Sequence, residues 1–126
     1  MILLDTHALL WALYDPDRLS AKAVERMSKG DELAVSVASL WEITIKHSLG
    51  KLRFPVSLQD FLELRVYQSS LVVLGIDSAI LVSLGAMPWA HKDPFDRLII
   101  ATARVQGLPI ISADRRFSEY PIECVW

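Results

Sequence analysis

Four short apolar segments, which lack the polar alternation of half-exposed strands, limit what this chain can fold into. Their sequences are MILLD, LAVSV, LVVLGI and LPIIS, beginning at Met1, Leu33, Leu71 and Leu108. Segments with helical spacing of apolar residues separate them, and IECVW follows near the end of the chain. Strands that are apolar on both faces and alternate with helices are typical of a parallel sheet. The sequence therefore predicts an α/β fold with a central, mostly parallel sheet of four to five strands and helices on both faces.

Helix-capping residues predict the bounds of the intervening helices. The predicted helices cover THALLWALY, 20–29, 39–49, 57–67, a segment beginning at 77, 93–106, and a short turn at 115–117. Gly107 is the expected stop of the helix at 93–106, because glycine readily adopts the left-handed conformation at helix ends. Trp11 and Trp41 lie at helical spacing among apolar residues, which predicts that both pack in the core.

The composition favours one domain, residues 1–126, in a reducing compartment. Cys124 is the only cysteine, so no internal disulfide and no cysteine-based zinc site can form, and the cytoplasm is the expected location. The net charge of −2 gives no overall basic excess, so a polyanion would need a local basic patch. The apolar stretch 71–90 contains Asp77 and Pro88, and it therefore predicts a strand and a capped helix rather than a membrane span.

Acidic residues recur where the predicted strands end. Asp5 follows the first strand, Asp114 lies just past the fourth, and Glu42 lies in the first turn of the helix after the second. Asp93 and Asp96 lie in the first turn of the helix that precedes the fourth strand. Ligands of parallel α/β sheets bind beyond the carboxyl ends of the strands, so these acids can meet in one crevice. Clustered carboxylates repel each other unless a cation neutralises them, and hard divalent cations prefer oxygen ligands.

Four of these five acids also have a purely structural interpretation, and Asp5 is the exception. Asp93 precedes a proline and fits a helix N-cap, and Asp96 then favours the dipole of the same helix. Ser39 and Glu42 fit a capping box, and Asp114 could begin the short turn after the fourth strand. A shared metal site accounts for all of them together, including the acid at the end of the first strand.

Other chemistries find no support in the sequence. There is no phosphate-binding loop, no dinucleotide-binding glycine pattern and no nucleophile elbow. The histidines, His7, His47 and His91, are scattered and do not form the i, i+4 pair of a helical zinc site.

Four segments together resemble the motifs of PIN-domain ribonucleases, specifically the VapC-type toxins of bacterial type II toxin–antitoxin pairs. They are LLDTHALLWAL, SVASLWEITIKHSLGKL, HKDPFDRLIIATA and IISADRRFSEY. They occur in the order and at the spacing of that family, and the resemblance covers nearly the whole chain. It implies a PIN-like α/β fold.

The resemblance also implies roles for individual residues. Asp5, Asp96 and Asp114 would bind Mg²⁺ or Mn²⁺, and Glu42 would be the remaining catalytic acid. Asp93 would be a capping residue with an outer role at the site. Two hydroxyl side chains, Thr6 and Ser112, would orient the carboxylates.

The activity implied by the resemblance is metal-dependent endonucleolytic cleavage of RNA. A water activated by the metal would attack the phosphorus, with Glu42 orienting or deprotonating it. Lys46, Arg97, Arg115 and Arg116 lie near the motifs and could bind flanking RNA phosphates. The implied partners are a small antitoxin protein and a second copy of the chain.

Two other functions stay open on the sequence alone. In the first, the chain is a non-enzymatic α/β interaction domain whose acids are helix caps. In the second, it is a metal-dependent phosphohydrolase of small molecules, which would need a closed pocket rather than an open crevice.

Overall fold

A computed structural model describes all residues, 1–126. It contains a five-stranded sheet in the order β3-β2-β1-β4-β5, in which every neighbouring pair is parallel. The strands are β1 (Ile2–Leu4), β2 (Leu33–Ser36), β3 (Val72–Leu74), β4 (Ile110–Ile111) and β5 (Cys124–Val125). The predicted α/β fold with a parallel sheet of four to five strands is confirmed.

The helices alternate with these strands along the chain. They are α1 (Thr6–Tyr14), α2 (Ala21–Met27), α3 (Val37–Ser48), α4 (Leu58–Asp60), α5 (Ser78–Ala86) and α6 (Pro94–Gln106). A π-helical segment, Phe61–Tyr67, continues α4, and short 3-10 turns cover Pro16–Arg18 and Arg115–Glu119. None of the helices has the length and apolar character needed to cross a membrane.

Two apolar clusters pack on opposite faces of the sheet. Successive residues of a strand point to opposite faces, so Leu3 joins one cluster while Ile2 and Leu4 join the other. Helices α5 and α6 supply much of the first cluster, and α1, α3 and the π-helical segment supply much of the second. The sheet is therefore covered on both faces, which explains why its strands are apolar throughout.

The start of α3 differs from the prediction. Strand β2 passes directly into the helix, and Ser36 rather than Ser39 is the N-cap, accepting the Ala38 amide at 3.0 Å. The capping-box interpretation of Ser39 and Glu42 is therefore wrong, and the Glu42 side chain does not cap α3. Trp41 was also predicted to be in the core, but it is 57% exposed.

Candidate active site

The carboxyl ends of β1 and β4 meet at the centre of the sheet, and Asp5 and Ser112 lie directly beyond them. Strand β1 has β2 on one side and β4 on the other, so the chain order reverses here, and such points form ligand-binding crevices. The Ser112 hydroxyl donates to Oδ2 of Asp5 at 2.5 Å, and Oδ1 of Asp5 accepts the Ala8 amide at 2.7 Å. Burial raises the pKa of the Asp5 carboxyl, and these hydrogen bonds oppose the rise.

Glu42 reaches the crevice from α3 and is buried. The Thr6 hydroxyl donates to its Oε1 at 2.6 Å and lies 3.0 Å from the Ser39 hydroxyl. The Lys46 amine donates to Oε2 at 2.7 Å, and this bond raises the pKa of the lysine. Both oxygens of the Glu42 carboxylate are therefore held in place, one by a hydroxyl and one by an ammonium group.

The first turn of α6 carries Asp93 and Asp96. Asp93 is the N-cap, as predicted, and its Oδ1 accepts the amides of Phe95 and Asp96 at 2.9 and 3.1 Å. Pro94 occupies the first helical position, where its missing N–H leaves no helix bond unmade. The cap therefore fixes the backbone of Asp96, and through it the direction of that carboxylate.

Of the acids in the crevice, Asp96 is the one whose ionisation is most strongly opposed by its surroundings. Burial raises the pKa of its carboxyl to about 8, with further contributions from the negative charges of Asp93, Glu42, Asp5 and Asp114. All four carboxylates therefore act on Asp96 at short range. A site of this kind strongly favours a cation that can neutralise the repulsion.

Asp114 closes the crevice from the turn after β4. The Arg116 guanidinium contacts both of its oxygens, and the Arg116 amide donates to Oδ1 at 2.9 Å. The guanidinium therefore holds the pKa of Asp114 below its usual range. The Asp114 amide in turn donates to the Ser112 hydroxyl at 3.0 Å, which links Asp114 to Asp5 through one serine.

His91 is a buried member of the site that the sequence prediction missed. Its Nε2 lies 2.9 Å from Oδ2 of Asp96 and 3.4 Å from Oδ2 of Asp114. Its Nδ1 accepts the Asp93 amide at 3.2 Å, so the hydrogen of a neutral ring is carried by Nε2 and faces the two carboxylates. Neither carboxylate is in line with this N–H, and Nε2 has no complete hydrogen bond.

The sequence contains a motif that points to His91, although this histidine does not belong to a zinc-binding pair. The histidine precedes the helix cap Asp93 by two residues, in the motif HKDPFDR. Its backbone amide donates to the Tyr120 hydroxyl at 2.9 Å, and its ring packs edge-on against Phe117 at 5.9 Å. These partners come from the last motif, so only the folded chain shows what the histidine contacts.

The donor atoms of the crevice fit a hard divalent cation. Oxygens of Asp96 and Asp114 and the Nε2 of His91 all lie within 4.8 Å of one another. Carboxylate oxygens are the ligands that Mg²⁺ and Mn²⁺ prefer. Because the ring hydrogen is on Nε2, this nitrogen has no free lone pair for a cation in this arrangement, and oxygen atoms remain the candidate ligands.

The expected phosphate-binding role of Arg97 is contradicted by its position. Its side chain is buried, and its guanidinium donates to the carbonyl oxygens of Pro88, His91, Leu84 and Met87 at 2.7 to 3.3 Å. The arginine thus fixes the segment between α5 and α6 and is not available to RNA. The other candidate cations stay at the surface, Lys46 and Arg116 paired with acids of the site and Arg115 exposed.

Comparison with known proteins decides the family. The model of the PIN domain family matches residues 2–123. This chain belongs to the PIN domain family. A relative of this PIN domain is Ribonuclease VapC22 from Mycobacterium tuberculosis, which is 30% identical over 120 residues, covering 94% of this chain and 91% of the relative.

Solved structures share the fold of this PIN domain. FitAcB from Neisseria gonorrhoeae superposes with a TM-score of 0.72 at 17% identity, covering 98% of this chain and 96% of that chain. A toxin–antitoxin complex from Klebsiella pneumoniae gives a TM-score of 0.63 at 20% identity, with coverage of 96% and 93%. The resemblance to PIN-domain ribonucleases of the VapC type, drawn from the four motifs, is confirmed.

Proposed function

We propose that this PIN domain is a metal-dependent endoribonuclease, the toxin component of a toxin–antitoxin pair. The observation that carries the proposal is the cluster of five carboxylates in the crevice, where burial and the four neighbouring acids raise the pKa of Asp96 to about 8. Capping does not account for the whole cluster, because Asp5, Asp93 and Asp114 each cap a helix or turn. The remaining two acids, Glu42 and Asp96, cap none. The related protein is named Ribonuclease VapC22, and this supports RNA as the substrate class of the crevice.

The residues that would hold Mg²⁺ or Mn²⁺ are Asp5, Asp96 and Asp114. Such a cation, when bound, supplies Lewis-acid activation of water and neutralises charge on the phosphate. Glu42 is the carboxylate that would orient the attacking water and accept its proton, since the Thr6 hydroxyl and the Lys46 amine hold it in one position. Arg115 and Arg116, at the edge of the crevice, would bind a flanking phosphate.

The remaining polar residues of the site position the carboxylates. Ser112 bridges Asp5 and Asp114, and Asp93 fixes the helix start that presents Asp96. The Nε2 hydrogen of His91 lies close to both Asp96 and Asp114, so its positive end offsets part of the repulsion between the two carboxylates. Partners of this kind support the ligands of metal sites and strongly affect metal affinity.

The partners we propose are a small antitoxin and a second copy of this chain, in the cytoplasm. The antitoxin proposal is supported by the fold shared with a toxin–antitoxin complex. The dimer proposal is supported by large apolar side chains left at the surface, since exposed apolar groups of this size favour burial in an interface. Val82 and Trp89 are each 73% exposed, and Trp41 is 57% exposed.

A cleavage assay tests the proposal directly. The purified chain is incubated with a mixed RNA pool and Mg²⁺ or Mn²⁺, beside Asp5→Asn and Asp96→Asn variants and an EDTA control. Asp60→Asn is the matched control, because Asp60 is an exposed acid on α4, outside the crevice. We expect cleavage by the parent and by the control variant, and none by the two site variants or with EDTA.

Two results would contradict the proposal. If RNA is still cleaved in EDTA and by both site variants, the crevice does not carry out the reaction. A folded, antitoxin-free chain that neither cleaves the pool nor binds a divalent cation would instead favour an interaction domain whose acids are only caps.

A further inference from the structure

A second cleft opens beside the acidic crevice. It has a volume of about 400 Å³ and lies between α1, the end of α3 and the segment 51–54 that follows α3. The family motifs assign no role to most of its lining. Its size falls in the range of pockets that enclose small ligands.

Positive charge dominates the lining of this cleft. Four cationic side chains line it, and Asp15 is the one acid among the lining residues; the cations are Arg18, Lys46, Lys51 and Arg53. Lys46 is paired with Glu42, whereas the other three form no ion pair with any carboxylate. The chain has a net charge of −2, so this cleft is the local basic patch that a polyanion would need.

Aromatic side chains lie among these cations. His7 is exposed and Trp11 is half-buried, and their ring centroids are 5.6 Å apart. The Arg18 guanidinium lies over the Trp11 ring at 4.8 Å. Tyr14 lines the same wall, and its hydroxyl is buried without a hydrogen-bond partner.

The cleft borders the acidic crevice. Thr6 and Lys46 line the cleft, and both contact Glu42, at 2.6 and 2.7 Å. A strand of RNA with one phosphate at the carboxylates would therefore place a neighbouring nucleotide in the cleft. The unpaired arginine and lysine side chains would contact its phosphates, and the aromatic rings would contact its base.

We propose that this cleft binds the nucleotide adjacent to the scissile phosphate, and that the residues recognising it are Trp11, His7, Lys51 and Arg53. The inference rests on the proposed ribonuclease function and adds a recognition site to it. The base stacks against Trp11 and His7, and Lys51 and Arg53 pair with the phosphates. A base in a duplex is stacked on its neighbours and cannot reach these rings, whereas a splayed base in a single strand can.

The test measures RNA binding separately from cleavage. Asp5→Asn is introduced into every protein so that RNA is bound without being cut. The probes are a fluorescently labelled, mixed-sequence single strand and the matching duplex, titrated over a range of salt concentrations.

The cleft variants are Lys51→Ala with Arg53→Ala, and separately Trp11→Leu. The control is Lys22→Ala with Arg104→Ala, which removes the same charge from exposed positions on α2 and α6.

We expect the background protein to bind the single strand more tightly than the duplex. The double cleft variant lowers the slope of log affinity against log salt by about 1.4, the value for two lost phosphate contacts on a single strand. Trp11→Leu weakens single-strand binding by about five- to hundredfold through the lost stacking. The charge-matched control keeps the slope and the affinity of the background protein.

Other results would overturn the inference, and they are distinct from failure of the nuclease. Suppose that the chain without Asp5→Asn cleaves RNA, but the cleft variants bind the single strand as the control does. The cleft then serves another occupant, such as a peptide of a protein partner, and the nuclease proposal stands. Equal binding of single strand and duplex also contradicts the inference. A chain that neither cleaves nor binds RNA removes both proposals together.

Discussion

Burial and the neighbouring acids both destabilise the ionised form of Asp96, which makes this residue a sensitive probe of the site. In the folded chain its pKa is about 8, against an ordinary value of 3.8. Between these two pH values the unfolded chain has released the proton that the folded chain still holds. Stability therefore falls as pH rises through this window, and the loss is complete above the folded pKa.

Asp96→Asn is accordingly expected to stabilise the metal-free protein at neutral pH while abolishing cleavage. Asparagine carries no charge, so the repulsion from the surrounding carboxylates is removed. We expect a gain of about 1–3 kcal/mol in the free energy of unfolding. Urea unfolding in EDTA at several pH values measures it, and the gain should grow from pH 4 toward pH 8. A variant as stable as the parent, or less stable, throughout that range would contradict the electrostatic account.

His91 is expected to control metal affinity through the carboxylates that it contacts. His91→Ala removes the Nε2 donor between Asp96 and Asp114, and should weaken Mn²⁺ binding by about 10- to 100-fold. His91→Gln retains an N–H donor and should recover part of the affinity. Calorimetric titration with Mn²⁺ gives both values, and urea unfolding checks that each variant folds. Unchanged Mn²⁺ affinity in a folded His91→Ala variant would show that the histidine only fills space.

At the scale of helices and strands, the sequence predicted structure best where a local interaction decides it. Asp93 before a proline predicted the start of α6, because a cap and a fixed φ angle act within one turn. The start of α3 was misplaced because two serines, Ser36 and Ser39, could each serve as the cap. The choice depends on where β2 ends, and that is decided by its pairing with β1 and β3.

Helix α6 also shows why the charge of Arg97 misled the prediction. In the sequence Arg97 is a cation beside an acidic motif. In the fold its guanidinium binds the backbone carbonyl oxygens of the segment between α5 and α6. We expect Arg97→Ala to lower the free energy of unfolding by about 3–5 kcal/mol, because buried carbonyl oxygens lose their donor.

The matched comparison is Arg104→Ala, an exposed arginine on the same helix, which should change stability by less than about 0.5 kcal/mol. Urea unfolding of the two variants gives the difference. If Arg97→Ala were as stable as the parent and bound RNA less tightly, the original assignment to RNA binding would be restored.

At the scale of the whole molecule, a cation in the crevice would connect elements from both halves of the sheet. Its proposed ligands follow β1, begin α6 and follow β4. Mn²⁺ at about 100 times its dissociation constant should therefore raise the free energy of unfolding by about 2.7 kcal/mol. Thermal unfolding with Mn²⁺ and with EDTA measures the change, and Asp5→Asn should remove most of it. The same rise in Asp5→Asn would place the bound ion elsewhere.

The sequence was informative about the sheet and about the acids, and less so about the groups around them. Strands that are apolar on both faces indicate a sheet that is covered on both sides, and acids at strand ends indicate a crevice. Both features can therefore be predicted from the sequence. His91 and the basic cleft depend on contacts between distant segments. The cleft, for example, joins Trp11 of α1 to Lys51 and Arg53, and no local pattern links these positions.

The hydrogen bond from Ser112 to Asp5 joins residues 107 positions apart in sequence. Synthesis proceeds from the N-terminal end, so Asp5 leaves the ribosome long before its partner is made. Neither β4 nor Asp114 exists until translation has passed those positions, and β1 lacks one of its two neighbours until then. A chain translated only as far as β3 therefore lacks part of the proposed metal site, and RNA near a translating ribosome meets the assembled crevice only after Asp114 has been made.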